Sequence, residues 1–219
     1  MFTGIVQGLC EVVKVEPQAN LSCLYIDLGE LAKDLALGAS VAINGTCLTV
    51  TGIHDHPTVS GGTVVGFDII KESLALTNLG AVVSGDRVNI ERSLKFGDEI
   101  GGHIVSGHIA TTLVLDHLET SSNERVLWLA CEPQWLKYLN YKGFVALDGA
   151  SLTISSIDRG AGLFSVSLIP ETVARTTLGT REAGALVNLE IEAQTQTIVE
   201  TVERLLGDEQ WREALCSRA

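Results

Sequence analysis

The sequence lacks several features that would assign it to a large class of proteins. No stretch approaches the roughly 18 consecutive apolar residues that a membrane-spanning helix requires, and Met1–Gly8 contains no basic segment followed by an apolar run. Lysine and arginine total 15 against 27 acidic residues and form no cluster, so the formal net charge is −12. Because this charge repels phosphate backbones and anionic lipids, we expect neither nucleic acid nor a membrane as partner.

Cysteine and proline are also scarce. The five cysteines are odd in number and form no Cys-x-x-Cys pair, a usage typical of free thiols in a reducing compartment. This predicts a cytoplasmic protein. Only four prolines accompany 22 glycines, and 46% of the residues are hydrophobic, which indicates a folded chain with many turns.

Common catalytic motifs are absent as well. The chain has no G-x-G-x-x-G, no P-loop and no G-x-S-x-G, so nucleotide binding and serine hydrolysis lack support. His54 and His56 resemble a metal-binding pair, but they also suit a solvated turn before Pro57. Since no third ligand is evident, we predict no metal site.

What the sequence does contain is an internal duplication. Ser40–Val50 returns as Phe144–Ile154, and two further blocks, beginning at Glu72 and Gly85, return about a hundred residues later at Glu171 and Gly184. This period is too long for a solenoid repeat and indicates two similar domains. Two similar domains offer two similar sites.

The residue pattern predicts mainly short strands. Asn44-Gly45 and Asp148-Gly149 each separate two short apolar runs, which is the strongest local signal for a β-hairpin. Further strands are predicted at Ile5–Val6, Leu24–Leu28, Val64–Ile69, Arg87–Ile90, Ile104–Ile109, Val126–Leu129, Phe164–Leu168 and Leu186–Ile191. Strands at this spacing, with glycines between them, indicate a small barrel or sandwich in each half.

Helices are predicted at few places. A short helix precedes each hairpin, at 31–36 and 133–138. A terminal amphipathic helix carries Ile198, Val202 and Leu205 on one face, starts from a cap at Thr195 or Thr197 and ends at Gly207. The tail beyond it predicts a second, loosely held helix through Trp211 and Leu215.

Polar side chains recur at matched strand positions. Cys47 and Thr49 share one strand face, and Ser151 and Thr153 share the corresponding face of the second copy. They could hold like polar ligands in both halves, or only hydrogen-bond to turn backbone.

Two histidines are further candidates. His103 and His108 lie five residues apart, so a regular strand would send them to opposite faces. Either histidine could also be a hydrogen-bonded structural residue at the junction between the domains.

Taken together, several segments resemble the riboflavin synthase family. They are Met1–Gly8, Asn44–Val50, Lys71–Leu74, Thr77–Gly80, Lys95–His108, Leu168–Thr172 and Arg175–Gly179. The resemblance implies a mainly β fold of two tandem six-stranded antiparallel barrels plus a C-terminal helix. We expect barrels at 1–97 and 98–192, and an oligomerisation helix and tail at 193–219.

The resemblance also implies a function. Members of this family dismutate two molecules of 6,7-dimethyl-8-ribityllumazine to riboflavin and a ribitylamino-pyrimidinedione, without a cofactor, as homotrimers and with possible association with lumazine synthase. The matching positions imply His108, Cys47 and Ser40 as catalytic residues. They imply the following residues for substrate binding: Thr49, Lys142, Ser151, Thr153 and Glu192.

Two departures from the family pattern and two alternative functions remain. Glu192 stands where the family commonly has Asp, and Thr46 stands where a second cysteine is common.

A non-catalytic lumazine- or flavin-binding protein of the same fold is the main alternative, although such proteins tend to lose the Ser-Gly-His element that ends here at His108. A β-barrel with only a structural role would explain the duplication but not the matched polar residues.

Overall fold

Two closed barrels of six antiparallel strands form the protein, as the duplication predicted. The structure is a computed structural model that describes residues 1–55, 62–121 and 124–208. The chain is mainly β, and a helix follows the second barrel. None of the helices in these ranges is long and apolar enough to cross a membrane.

The first barrel has the strand order β1-β2-β5-β4-β3-β6. Its strands are β1 Gly8–Pro17, β2 Leu21–Asp27, β3 Ser40–Ile43, β4 Thr46–Asp55, β5 Thr63–Ile70 and β6 Arg87–Arg92. Helix α1, Lys71–Leu76, follows β5, and 3₁₀ turns cover Gly29–Ala32 and Asn78–Ala81.

The second barrel repeats this order with β7 to β12 in place of β1 to β6. Its strands are β7 Thr111–Thr120, β8 Arg125–Ala130, β9 Phe144–Leu147, β10 Ala150–Asp158, β11 Leu163–Leu168 and β12 Leu186–Glu190. Helix α2, Pro133–Leu136, precedes β9, helix α3, Pro170–Arg175, follows β11, and a 3₁₀ turn covers Thr177–Gly179.

Both predicted hairpins are present, and their turns touch each other. Asn44 and Gly45 have φ of 44° and 79°, and Asp148 and Gly149 have φ of 45° and 81°. Two successive positive φ values are those of a type I′ turn, which Asn-Gly and Asp-Gly favour. A Cβ on Gly45 would lie 2.6 Å from the backbone nitrogen of Gly149, so only glycine permits this contact between the barrels.

Each barrel has a core of its own, and a third, small cluster joins them. Inward-facing residues such as Phe67 and Phe164 are completely buried within their barrels. Between the barrels, Phe2 and Val105 pack with the alanines of β3 and β9. Phe2 and Val105 also exchange two backbone hydrogen bonds, of 2.7 and 3.0 Å.

A buried polar network surrounds this junction. The Asp148 carboxylate, fully buried, pairs with the Arg181 guanidinium at 3.0 Å. It also accepts hydrogen bonds from the Asn188 backbone N–H at 2.8 Å and from the Asn78 side chain at 2.8 Å. The network therefore crosses from one barrel to the other, since Asn78 belongs to the first half.

The asparagines of the two β strands nearest the junction make reciprocal contacts. Asn89 Nδ2 donates to the Asp148 backbone carbonyl at 2.8 Å, and Asn188 Nδ2 donates to the Asn44 backbone carbonyl at 2.8 Å. Each asparagine also accepts, through its Oδ1, the backbone N–H of a 3₁₀ turn of the opposite barrel. Each half therefore makes the same hydrogen bonds to the other half.

Two predicted strands are wrong. Residues 5–6 and 104–109 are not strands. Val105, in the second range, forms an isolated bridge with Phe2. The reason is that amide groups just before the first range and within the second donate to the buried carboxylates of Glu91 and Glu190, instead of to a neighbouring strand.

Other elements were not predicted or differ in type. Strands β1 and β7 and helices α1 and α3 were not predicted. The predicted helix at 31–36 is instead the 3₁₀ turn Gly29–Ala32, whereas the one at 133–138 is present as α2. The domain limits at 97/98 and 192/193 stay predictions.

The terminal helix α4, Ala193–Gly207, ends where the sequence predicted but starts earlier. Its cap is Glu192, whose carboxylate accepts the backbone N–H of Thr195, so the predicted caps at Thr195 and Thr197 are wrong. Val199 packs on the second barrel. The predicted helix in the tail, through Trp211, lies outside the described residues.

The duplication suggests a test of the junction. Asp148→Ala should lower the free energy of unfolding by about 3 to 5 kcal/mol, because it removes a fully buried carboxylate that pairs with Arg181 and accepts hydrogen bonds from two asparagines. Asn44→Ala, the same change in the other copy, removes no charge and should cost about 1 to 3 kcal/mol. Urea unfolding of both variants measures the difference. Equal losses would show that the ion pair adds nothing.

Candidate functional site

The outer face of the first barrel carries three of the predicted site residues. On β4, Leu48 and Val50 point into the core, so Cys47 and Thr49 point outward. Thr49 is exposed and lies directly opposite Ser40 in the β3–β4 pairing. The structure therefore brings Ser40, Cys47 and Thr49 onto one face.

His108 reaches this same face through the preceding residue. The Cys47 backbone N–H donates to the Gly107 carbonyl at 2.9 Å. Gly107 has φ of 86°, and a Cβ there would lie 2.5 Å from the Cβ of Cys47, so the close approach depends on glycine. His108 is exposed directly beside this contact. The imidazole and the thiol thus belong to neighbouring positions although they are 61 positions apart in the sequence.

The second barrel repeats the arrangement with other residues. The Ser151 backbone N–H donates to the Gly4 carbonyl at 2.8 Å, as Cys47 does to Gly107. Thr153 is exposed and pairs with Phe144. The residue after Gly4 is Ile5, whereas the residue after Gly107 is a histidine. On β9 of the second barrel, Phe144 occupies the position that Ser40 has on β3 of the first barrel. The two faces therefore share a backbone but differ in their chemical groups.

His103, which the resemblance did not place among the site residues, belongs to the second face. Its Nδ1 lies 2.6 Å from the Ser151 hydroxyl, and its ring stacks on Phe144 with centroids 5.1 Å apart. His103 is buried, and burial lowers its pKa, although the carboxylate of Glu192 acts in the opposite direction. The imidazole is therefore predominantly neutral at pH 7 and can orient the Ser151 hydroxyl.

Glu192 is close to this face but already engaged. It accepts hydrogen bonds from the Thr195 hydroxyl at 2.6 Å and from the Gln194 backbone N–H at 3.1 Å. Burial opposes the ionisation of Glu192, but these hydrogen bonds outweigh it and lower its pKa. Glu192 therefore remains charged and caps α4.

Lys142 lies at the edge of the second face. Its backbone has φ of 64°, and its N–H donates to the carbonyl of Ile154 at 3.0 Å, one residue beyond Thr153. Its Nζ lies 5.3 Å from the centroid of the Tyr141 ring. The structure thus brings the Lys142 backbone beside β10, while the ammonium group rests on Tyr141.

The candidate faces lie apart from a cavity at the first barrel. A cavity of about 860 Å³ lies at one end of the first barrel beside α1, lined by Leu24, Ile69 and Lys71, and holds none of the predicted site residues. We favour the polar faces as the candidate sites, because several hydrogen-bonding groups converge there in both copies.

Comparisons with known proteins agree with this duplicated architecture. The sequence model of the lumazine binding domain matches residues 3–93 and 106–192, once in each half. Riboflavin synthase of Escherichia coli (strain K12) is 49% identical over 209 residues, covering 94% of both chains. Riboflavin synthase of Chlamydia pneumoniae is 42% identical over 208 residues, covering 94% of this chain and 98% of that protein.

Solved structures show the same fold. LumP complexed with 6,7-dimethyl-8-(1'-D-ribityl) lumazine has a TM-score of 0.76 at 22% identity, covering 88% of this chain and 99% of LumP. LumP complexed with riboflavin has a TM-score of 0.78 at 23% identity, covering 88% and 100%. The fold and its two polar faces define a protein of duplicated lumazine-binding barrels. Given its identity to curated relatives over nearly the whole length, this chain belongs to the riboflavin synthase family.

The buried imidazole predicts a pH dependence of stability. The pKa of His103 in the folded protein lies below its ordinary value of 6.5. The neutral imidazole therefore makes its full contribution to stability at pH values above 6.5. It is lost as pH falls through the folded pKa. The melting temperature of the protein should therefore fall less between about pH 7.5 and pH 5 in His103→Asn than in the unchanged chain. His117→Asn, at an exposed histidine, is the control. Parallel curves for all three proteins would contradict the assignment.

Proposed function

We propose that this protein is a riboflavin synthase. It would convert two molecules of 6,7-dimethyl-8-ribityllumazine to riboflavin and 5-amino-6-ribitylamino-pyrimidinedione by transfer of a four-carbon unit. The observation that carries the proposal is the 49% identity to a riboflavin synthase over 94% of the chain. The duplicated faces support it, because two identical substrates require two similar sites. The atoms of two substrates equal those of the two products, so the reaction needs no external oxidant.

Positioning is the main catalytic contribution that such faces can supply. Holding two rings in reactive contact turns a bimolecular step into an effectively unimolecular one, worth about 7 to 11 kcal/mol in well-oriented systems. In our proposal the first barrel of one subunit faces the second barrel of its neighbour. Hydroxyl groups on each face, those of Ser40 and Thr49 on one and Ser151 and Thr153 on the other, then hold the substrates through hydrogen bonds.

The difference between the faces suggests separate roles for the two bound molecules. In the first face, His108 acts as a general base toward the acidic ring methyl group, or activates attack at the neighbouring ring, with the Cys47 thiol beside it. The second face offers Ser151, oriented by a neutral imidazole, and the Lys142 ammonium as binding groups. We expect chemistry at the first face and binding at the second.

The alternative is a protein that binds lumazine or flavin without converting it. The similarity in fold to LumP with bound ribityl lumazine or riboflavin favours this class as the second candidate. Since both classes bind the same compound, only turnover separates them.

Turnover by variants of both faces tests the proposal. His108→Ala and Cys47→Ala should lower kcat by about 10²- to 10⁴-fold, through loss of acid–base or nucleophilic assistance. Ser151→Ala should raise KM more than it lowers kcat. Riboflavin release from 6,7-dimethyl-8-ribityllumazine, without added metal or nucleotide, is the measurement. Matched controls are His117→Ala on β7 and Cys23→Ala on β2, strands that do not form these faces, and both variants should retain activity.

Tight binding of the lumazine by the unchanged protein without any riboflavin formed would assign it to the non-catalytic class. Full activity in both His108→Ala and Cys47→Ala would leave the enzyme assignment intact and refute the roles given to these two residues.

A homotrimer is part of the proposal, and helix α4 supports it. Ile198, Val202 and Leu206 recur every four residues and are 63%, 48% and 53% exposed. Leu205, which the sequence pattern placed on this stripe, is instead partly buried. An exposed apolar stripe on one helix is suited to a helix of another subunit.

Introducing a charge on this stripe tests the oligomer. Val202→Glu should convert the trimer to monomers that retain both barrels, because a carboxylate is costly in an apolar interface. Light scattering gives the mass, and circular dichroism confirms the barrels. Gln194→Lys, at the exposed start of the helix, should remain trimeric. A trimer in Val202→Glu would place the interface elsewhere. A cytoplasmic location and an association with lumazine synthase stay predictions.

A further inference from the structure

A buried carboxylate binds the segment that carries His108. Glu190, at the end of β12, is 5% exposed. Its Oε1 accepts the Ser106 backbone N–H at 2.6 Å and the Ser106 hydroxyl at 2.7 Å, and its Oε2 accepts the Gly107 N–H at 3.0 Å. These hydrogen bonds to one carboxylate fix two consecutive residues relative to the second barrel.

The first copy contains the same arrangement. Glu91, at 4% exposure, accepts the Thr3 backbone N–H at 2.6 Å, the Thr3 hydroxyl at 2.8 Å and the Gly4 N–H at 3.0 Å. The two carboxylates therefore make the same three contacts to equivalent segments. Burial raises the pKa of both, with the hydrogen bonds acting against it, so keeping a carboxylate in each place has a cost.

The segment held by Glu190 ends at the proposed base. Ser106 Oγ donates to Glu190 and accepts the backbone N–H of His108 at 3.2 Å. The Gly107 carbonyl in turn accepts a hydrogen bond from the Cys47 backbone N–H at 2.9 Å. A carboxylate of the second barrel thus fixes the backbone that carries His108 against the first barrel. In the first copy the equivalent segment ends at Ile5, which has no group able to transfer a proton.

We propose that Glu190 is a positioning residue that acts on the reaction through His108. Glu91 makes the same structural contacts to a segment that ends at Ile5 and contacts Ser151, so its effect falls on binding and not on proton transfer. This inference rests on the proposed function. The two carboxylates share their structural contacts, but only the segment held by Glu190 ends at a group able to transfer a proton. The physical reason is distance dependence, since a displacement of about 1 Å in a reacting group can lower a rate about 10²-fold.

The test compares Glu190→Gln with Glu91→Gln. Glutamine keeps the shape but replaces one acceptor oxygen by an NH₂ donor, which would face a backbone N–H in either site. Glu190→Gln should lower kcat about tenfold to a hundredfold with little change in KM. Glu91→Gln, which loses equivalent hydrogen bonds, should lower kcat less than about threefold, a difference of less than about 0.7 kcal/mol in activation free energy.

A double-substitution cycle separates positioning from a structural effect. When His108→Ala is already present, adding Glu190→Gln should change kcat less than about threefold, because the residue through which it acts is gone. Glu91→Gln should have the same effect with or without His108→Ala. If the effects of Glu190→Gln and His108→Ala multiply, Glu190 has only a structural role and the proposal is overturned.

Ser106 provides a second route should Glu190→Gln not fold. Ser106→Ala removes the hydroxyl that links Glu190 to His108 and should lower kcat, whereas Ser106→Thr, the residue that the first copy has at Thr3, should restore it. Equal activity in the two would also overturn the proposal.

If His108→Ala alone retains full kcat, the role of His108 in the proposed function fails instead. Amide chemical shifts of Ser106–His108 that are unchanged in Glu190→Gln would refute the positioning irrespective of turnover.

Discussion

The buried contact between the two hairpin turns is the constraint on which the remaining structure depends. Gly45 and Gly149 meet at a separation that no side chain permits, and the Asp148 carboxylate lies beside them without exposure to solvent. Because an unpaired buried charge is costly, Arg181 and the surrounding amides hold one arrangement of the barrels. That arrangement brings Gly107 to Cys47 and Gly4 to Ser151. The two candidate faces are therefore products of the junction as much as of the barrels.

The duplication also explains why small differences between the copies matter. Backbone contacts at the two faces are equivalent, so each face presents a hydroxyl or thiol and a threonine at the same places. The copies differ in the residue after the glycine, His108 in one and Ile5 in the other, and in Ser40 against Phe144. A reaction between two identical molecules needs one to lose a unit and the other to gain it. Similar faces with unlike groups suit this requirement.

Much of the fold could be predicted from the sequence, because its signals are local. Asn-Gly and Asp-Gly specify type I′ turns by their own backbone preferences, and the repeat specifies two domains. Strands β1 and β7 were not predicted, because charged residues interrupt their apolar pattern. Residues 104–109 looked like a strand, but their amides bind Glu190, which lies more than 80 positions away. His103 joins Ser151 across 48 positions, and no local pattern records such a contact.

Fold alone cannot decide between an enzyme and a binding protein in this family, because proteins with the same fold can have different activities or none. LumP, at 22% identity, has the same architecture with a TM-score of 0.76. A binding protein needs a complementary face, and either barrel could supply one. Catalysis needs in addition a proton acceptor held at a defined place. Both copies maintain a buried carboxylate, Glu190 and Glu91, against the cost of burial, so this support alone does not separate the two classes. In our proposal the discriminating feature is the imidazole of His108 that follows the segment held by Glu190, where the other copy has Ile5, and similarity of fold does not reveal it.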